Sequence, residues 1–162
     1  MTDALTKIPP GDWENLRDLY LVNWPESCYG YYAIDNYVKW KRKGISLEKL
    51  SILCLNGDWS DGTFIIEVIG CWWSVEGWNL HLVFFQYDAF VVFNTATRST
   101  DRLERVLQLF DWTTVYLLMA VRDAHHSTLL KVMNHLHIEP EVTAPTDMFF
   151  LSRTKATEFV IE

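Results

Sequence analysis

Apolar and polar positions in this chain follow two different periods, and the points where one gives way to the other divide it into elements. The runs Ser51-Ile52-Leu53-Cys54-Leu55 and Thr63-Phe64-Ile65-Ile66 are rich in strand-forming residues. Between them, Asn56-Gly57-Asp58-Trp59-Ser60-Asp61-Gly62 supplies the Asn-Gly and Asp-Gly pairs that provide positive-φ residues for a reversal, so the stretch predicts a β-hairpin. Upstream, after a loose start and Pro9-Pro10, Asp12 stands where it can cap a helix with Trp13, Leu16, Tyr20 and Trp24 on one stripe. Trp24-Pro25 ends that helix, because the residue before proline is pushed out of the α region. A second helix from about Ser27 carries Tyr29, Tyr32, Ala33, Asn36, Tyr37 and Trp40 on one stripe. Gly44 stops it behind Lys39, Lys41, Arg42 and Lys43, whose charges complement the carbonyl end.

Downstream, Phe90-Val91-Val92-Phe93 predicts another strand. Ser99 or Thr100 then caps a helix with Leu103, Val106, Leu107 and Phe110 at i, i+3, i+4 and i+7. Thr114 to Ala120 predicts a buried strand, and Leu129, Val132, Met133 and Leu136 form a stripe on a helix beginning near Asp123. Pro140 and Pro145 bracket a loop, and Met148 to Leu151 is a short closing strand. The order helix, helix, strands, helix, strand, helix, strand predicts an α/β fold, a mixed β-sheet flanked by helices, in a single domain spanning 1–162.

Composition narrows the function classes. At 162 residues with 49% hydrophobic content the chain can bury a core without disulfides or metals. A net charge of -7 has the wrong sign for neutralising phosphates, which argues against a nucleic-acid partner. Charged or amide residues break every apolar stretch well before the roughly 20 residues of a bilayer span, so no membrane partner is expected. Residues 1–21 mix both charge signs and fit neither a signal nor a transit peptide, which makes a cytoplasmic chain the expectation. Cys28, Cys54 and Cys71 are odd in number and widely spaced, so buried or incidental thiols are expected.

Several constellations resemble chemistry without supplying it. Asn56-x-Asp58-x-Ser60 with Glu67 mimics a calcium loop, but its glycine is misplaced at Gly62 and its flanks are strands. His125-His126 and His135, His137 do not share a helix face, so solvated or capping histidines are expected. Lys41-Arg42-Lys43-Gly44-Ile45-Ser46 brushes against a pyrophosphate loop, yet it sits at the carbonyl end of a helix, where the dipole repels anions. No catalytic, cofactor-binding or metal-ligating residue stands out. Asn36, an amide on an otherwise apolar stripe, calls for a structural hydrogen bond or else is a substrate-facing candidate.

At Asp18-Leu19-Tyr20, Asn23-Trp24-Pro25, Gly30-Tyr31-Tyr32, Asp35-Asn36-Tyr37 and Leu55-Asn56-Gly57-Asp58-Trp59, the chain resembles the N-terminal half of insect-type glycine N-acyltransferase-like proteins, of the GNAT superfamily of N-acetyltransferases. The helix ending at Asp111-Trp112 and the Met148 to Leu151 strand fall in the same order. The resemblance implies a degenerate acetyltransferase-like domain whose family transfers an acyl group from CoA to glycine or another small amine. The acyl-CoA loop and the acid-base residues belong to a C-terminal domain expected beyond Glu162. The resemblance thus implies a non-catalytic half that binds no cofactor alone, with acyl-CoA as co-substrate of the full-length family. Its partners would be that C-terminal domain or a second copy docked on an exposed apolar face. By family analogy the location extends to the mitochondrion, and the rival reading is a non-enzymatic interaction module.

Residues 68–86 have no counterpart in that family. Trp72, Trp73 and Trp78, out of eight tryptophans, crowd with Cys71 into a segment poor in turn signals. Removing it would join Glu67 to Tyr87 and leave the flanking strands, Thr63 to Glu67 and Ala89 to Phe93, facing each other across a short connection. Valine codons begin with GT, and Phe-Phe-Gln can be encoded as a pyrimidine run ending in CAG. The segment is therefore read as a non-family insertion with the ends of an in-frame intron, the alternative being a genuine hairpin from Trp78 to Phe85.

Overall fold

A computed structural model describes residues 2–69, 89–114, 116–118 and 121–139. Five strands form one sheet in the order β1 (Leu5–Lys7), β2 (Leu50–Leu55), β3 (Phe64–Ile69), β4 (Ala89–Asn94) and β5 (Tyr116–Leu118). Neighbours are antiparallel from β1 to β4, and β4 pairs with β5 in parallel. The fold is α/β with a mixed sheet, as the periodicity predicts.

The predicted hairpin is β2 and β3, aligned with Leu53 opposite Ile65 and Leu50 opposite Val68. Its turn places Asn56, Gly57 and Gly62 at positive φ, as the composition of the loop requires. β3 and β4 also face each other as expected, with Ile65 opposite Phe93. The ladder continues through Val68 opposite Phe90 and Ile69 opposite Ala89, so the first two residues of the 68–86 segment belong to the sheet. The remainder of that segment, the Pro140 to Pro145 loop and the Met148 to Leu151 strand lie outside the described residues.

Alternation along β3 and β4 sorts side chains onto two faces. Phe64, Ile66, Phe90 and Val92 pack with Ile52 beneath Trp13, Leu16 and Tyr20 of the N-terminal segment and Ile34, Tyr37 and Val38 of α2 (Cys28–Arg42). Ile65, Val91 and Phe93 face the opposite layer, made by α3 (Asp101–Leu109) and α4 (Asp123–His135) through Leu103, Val106, Leu107, Leu129, Val132 and Met133. Both amphipathic stripes of that layer match their prediction. The sheet is thus sandwiched between two helical layers.

Four expectations are corrected. The start of the chain is a strand, because Asn56 ties it to the hairpin: its backbone N–H donates to Ala4 O at 2.8 Å and its Oδ1 accepts from Ala4 N–H at 2.9 Å. The first helix, α1 (Trp13–Asp18), stops well before Trp24 and passes into a 3₁₀ turn at Leu19–Leu21. Tyr20 is drawn inward, where its hydroxyl donates to Gly62 O, while Val22 and Trp24 end 81% and 48% exposed. Asp12 holds the cap position without a side-chain hydrogen bond, and the Trp24-Pro25 peptide is cis.

The third correction concerns α2, whose buried stripe is Cys28, Gly30, Ile34, Asp35, Tyr37 and Val38. It is rotated from the predicted one because Asp35, not Asn36, goes inward. Its carboxylate is matched by Lys39 at 2.6 Å and Arg17 at 3.1 Å, which offsets desolvation. The fourth is β5, which is shorter than Thr114 to Ala120 and half-buried at Tyr116, Leu117 and Leu118. Among the described residues, no helix is long and apolar enough to cross a membrane.

Candidate functional site

Parallel pairing brings the carboxyl ends of β4 and β5 to one edge of the sheet, and both strands lead from that edge into helices. Crevices outside the carboxyl ends of parallel strands are where α/β sheets hold ligands. The start of β3 shares the edge, because β3 runs antiparallel to β4. Three helix N-termini therefore need testing for an open donor set.

The junction from β4 into α3 is Thr95-Ala96-Thr97-Arg98-Ser99-Thr100, with no glycine. Its amides are already engaged: Thr95 N–H donates to Asn94 Oδ1 at 2.8 Å, Thr97 N–H to Thr95 Oγ1 at 3.4 Å and Asp101 N–H to Ser99 Oγ at 3.4 Å. Hydroxyls link the rest, Thr63 Oγ1 to Thr95 Oγ1 at 2.8 Å and Thr95 Oγ1 to Thr97 Oγ1 at 3.2 Å. Asp101 and Glu104 occupy the first turn of α3, and Asp61 binds Thr63 through both carboxylate oxygens. A diphosphate would meet carboxylates and spent amides, so these residues do not fit the pyrophosphate of acyl-CoA.

The N-terminus of α2 is closed as well. Ser27 Oγ donates to Tyr20 O, Ser27 N–H to Asn23 O at 3.0 Å and Cys28 N–H to Pro25 O at 3.0 Å. Burial pushes the Cys28 thiol above its ordinary range, which weakens it as a nucleophile.

The N-terminus of α4 is different. Arg122 takes the cap position in an extended conformation and makes no side-chain cap. His125 in the first turn is 3% exposed, which corrects the expectation of a solvated or capping ring. Its Nε2 lies 3.0 Å from Oδ1 of the fully buried Asn94. That oxygen already accepts from Thr95 N–H, so the amide orientation is fixed and His125 Nε2 must carry the proton. Asn94 Nδ2 and His125 Nδ1 are left with no hydrogen-bond partner. Burial, and secondarily the charge of Arg122, hold the ring below its ordinary pKa and favour the neutral form. His126, His135 and His137 are exposed, as expected.

Asn36, the substrate-facing candidate, is exposed on α2 and belongs to none of these junctions. Lys41 donates to Pro10 O at 2.8 Å at the carbonyl end of α2, as a helix-end residue. The loop that mimics a calcium site is turn chemistry: Ser60 N–H donates to Asp58 Oδ1 at 3.0 Å, and Arg102 pairs with Asp58 at 2.9 Å. Ser60 first, and then Arg102, hold the Asp58 carboxyl down at about 2. The Asn94, Arg122 and His125 cluster escapes sequence reasoning; its only local signals are an amide ending an apolar strand and a histidine in a first helical turn.

Compared with known protein families, with characterised proteins and with solved structures, the chain matches none.

Proposed function

We propose that this domain is the acetyltransferase-like, GNAT-type N-terminal half of an acyl-CoA-dependent N-acyltransferase, and that it does not itself transfer the acyl group to glycine or another small amine. The observation that supports this reading is the junction from β4 into α3, where hydroxyls and carboxylates occupy the donor positions a pyrophosphate would need. The domain then serves as a rigid platform for a catalytic acetyltransferase domain, in the cytoplasm. Calorimetric titration of acyl-CoA into the chain tests it: the expected result is no saturable heat and no acyl-glycine in the mixture. Saturable binding together with acyl-glycine formation overturns the proposal.

A second reading, a non-enzymatic interaction module, rests on a separate surface. Trp24, Tyr31 and Tyr32 meet edge to face at 5.4 to 5.9 Å, beside the exposed Leu21 and Val22. Aromatic clusters of this kind supply large contact area at little entropic cost. The two readings separate on whether removing this cluster abolishes an association that acyl-CoA does not influence.

A further inference from the structure

The cap of α4 collects donors and lacks acceptors. Arg122 is half-buried, and no carboxylate lies within ion-pair distance of it among the described residues. By contrast Arg17, Arg42, Arg102 and Arg105 all have carboxylate partners. A half-buried guanidinium left unpaired is costly. One turn away, His125 N–H bonds to Arg122 O at 2.8 Å, and the His125 ring reaches across to Asn94. Asn94 Nδ2, a buried group with two donor hydrogens, has no partner. The amides of Asp123 and Ala124 meet no acceptor among the described residues.

We infer that Arg122, Asn94 Nδ2 and the first-turn amides of α4 form a binding site for a small carboxylate at the carboxyl edge of β4 and β5. The donor set is that of an anion site: a guanidinium fork, an amide NH₂ and a helix N-terminus of thirteen residues. Arg122 is its one cation, because His125 is neutral in its buried setting, so the site balances a single negative charge and suits a carboxylate better than a phosphate dianion. The nearest competing acids are otherwise occupied or turned away: Asp61 is held by Thr63 and Arg102, and Asp123 is exposed. The site is distinct from the closed junction into α3 and does not depend on the reading of the domain as half of an acyltransferase.

Titration of the full chain with sodium acetate at constant ionic strength, followed by amide NMR, tests the inference. The expected result is saturable shifting of the Asn94 side-chain NH₂ and of the Asp123 and Ala124 amides, with inorganic phosphate weaker. Arg122→Met should weaken acetate by roughly tenfold or more, the loss expected for one charge-assisted hydrogen bond. Arg98→Met, which removes an exposed arginine from the α3 junction, should leave binding unchanged. Absence of saturation at those signals with either anion overturns the site, as does equal binding by Arg122→Met. Tighter binding of phosphate overturns the assignment to carboxylates. Should Arg122→Met not fold, Arg122→Lys, which keeps the charge and loses the fork, gives the same discrimination.

Discussion

Gly30 lies inside α2, where exchange for alanine ordinarily stabilises a helix by about 1 kcal/mol. Here the sign should reverse. A Cβ at position 30 would stand 2.6 Å from Tyr20 Cζ and closer still to Cε1 and Cδ1. The ring cannot step aside freely: its hydroxyl donates to Gly62 O, and it packs edge to face on Phe64 at 5.9 Å. Overpacking of this kind costs about 1–3 kcal/mol. If the ring shifts, the Gly62 carbonyl also loses its buried partner, at a further cost of about 1–3 kcal/mol. After the helix-propensity gain, Gly30→Ala should destabilise by about 1–3 kcal/mol, a fall in Tm on the order of 5 °C for a chain of this size. Thermal and urea denaturation measure it, with Gly11→Ala, where an added Cβ meets nothing within 4 Å, as the reference. A double-mutant cycle isolates the cause, because in a Tyr20→Leu background the same Gly30→Ala exchange should become neutral or stabilising. A Gly30→Ala protein that melts at or above wild type, or an equal penalty in both backgrounds, refutes the reasoning.

Other outcomes follow from the charges, the surface and the sheet. The Asp58 carboxyl is held at about 2, and that of Asp35 is also lowered because the bonds from Lys39 and Arg17 outweigh its burial. Folded values below the unfolded one mean that this stability is present above about pH 4 and is lost as pH falls toward 2. Melting temperature against pH should drop across that window, and Asp58→Asn should flatten part of the drop; a flat wild-type profile contradicts it. Val22→Ser with Trp24→Ser should reduce self-association in sedimentation velocity while leaving Tm near wild type, and a concentration-independent wild-type monomer would count against that surface. Deletion of residues 68–86 forfeits the Leu50 and Phe90 pairings of Val68 but keeps Glu67 opposite Val91. If the segment is an insertion, the shortened protein should stay folded, be more soluble and melt higher; an unfolded product, in a tissue whose transcript retains these codons, would show the segment to be integral.

The elements legible in advance are those whose signal is local. The hairpin at Asn56 to Gly62 and the stripe of Leu103, Val106, Leu107 and Phe110 need only near neighbours to be recognised, and both stand as read. The phase of α2 could not be read that way, since Asp35 turns inward only because Arg17, from the preceding helix, meets it there. β1 is three residues long and has no periodicity of its own; it exists by pairing with β2. The Arg122, Asn94 and His125 cluster is further still from the sequence. It joins the end of one strand to the first turn of a helix that follows another, and only the parallel pairing of β4 with β5 brings them together.

The anchoring of the first residues has a consequence for the order in which the protein takes shape during synthesis. Asp3 accepts from Asn56 Nδ2 at 3.0 Å and from Arg105 Nε at 2.8 Å, the second across a sequence separation of 102 residues. The segment that leaves the ribosome first therefore has no native partner until the hairpin has emerged, and it is not latched until α3 has followed. Closure of so long a loop is slow compared with forming the hairpin. While the nascent chain waits, the outer edge of β2 stays bare, open to pairing with another chain.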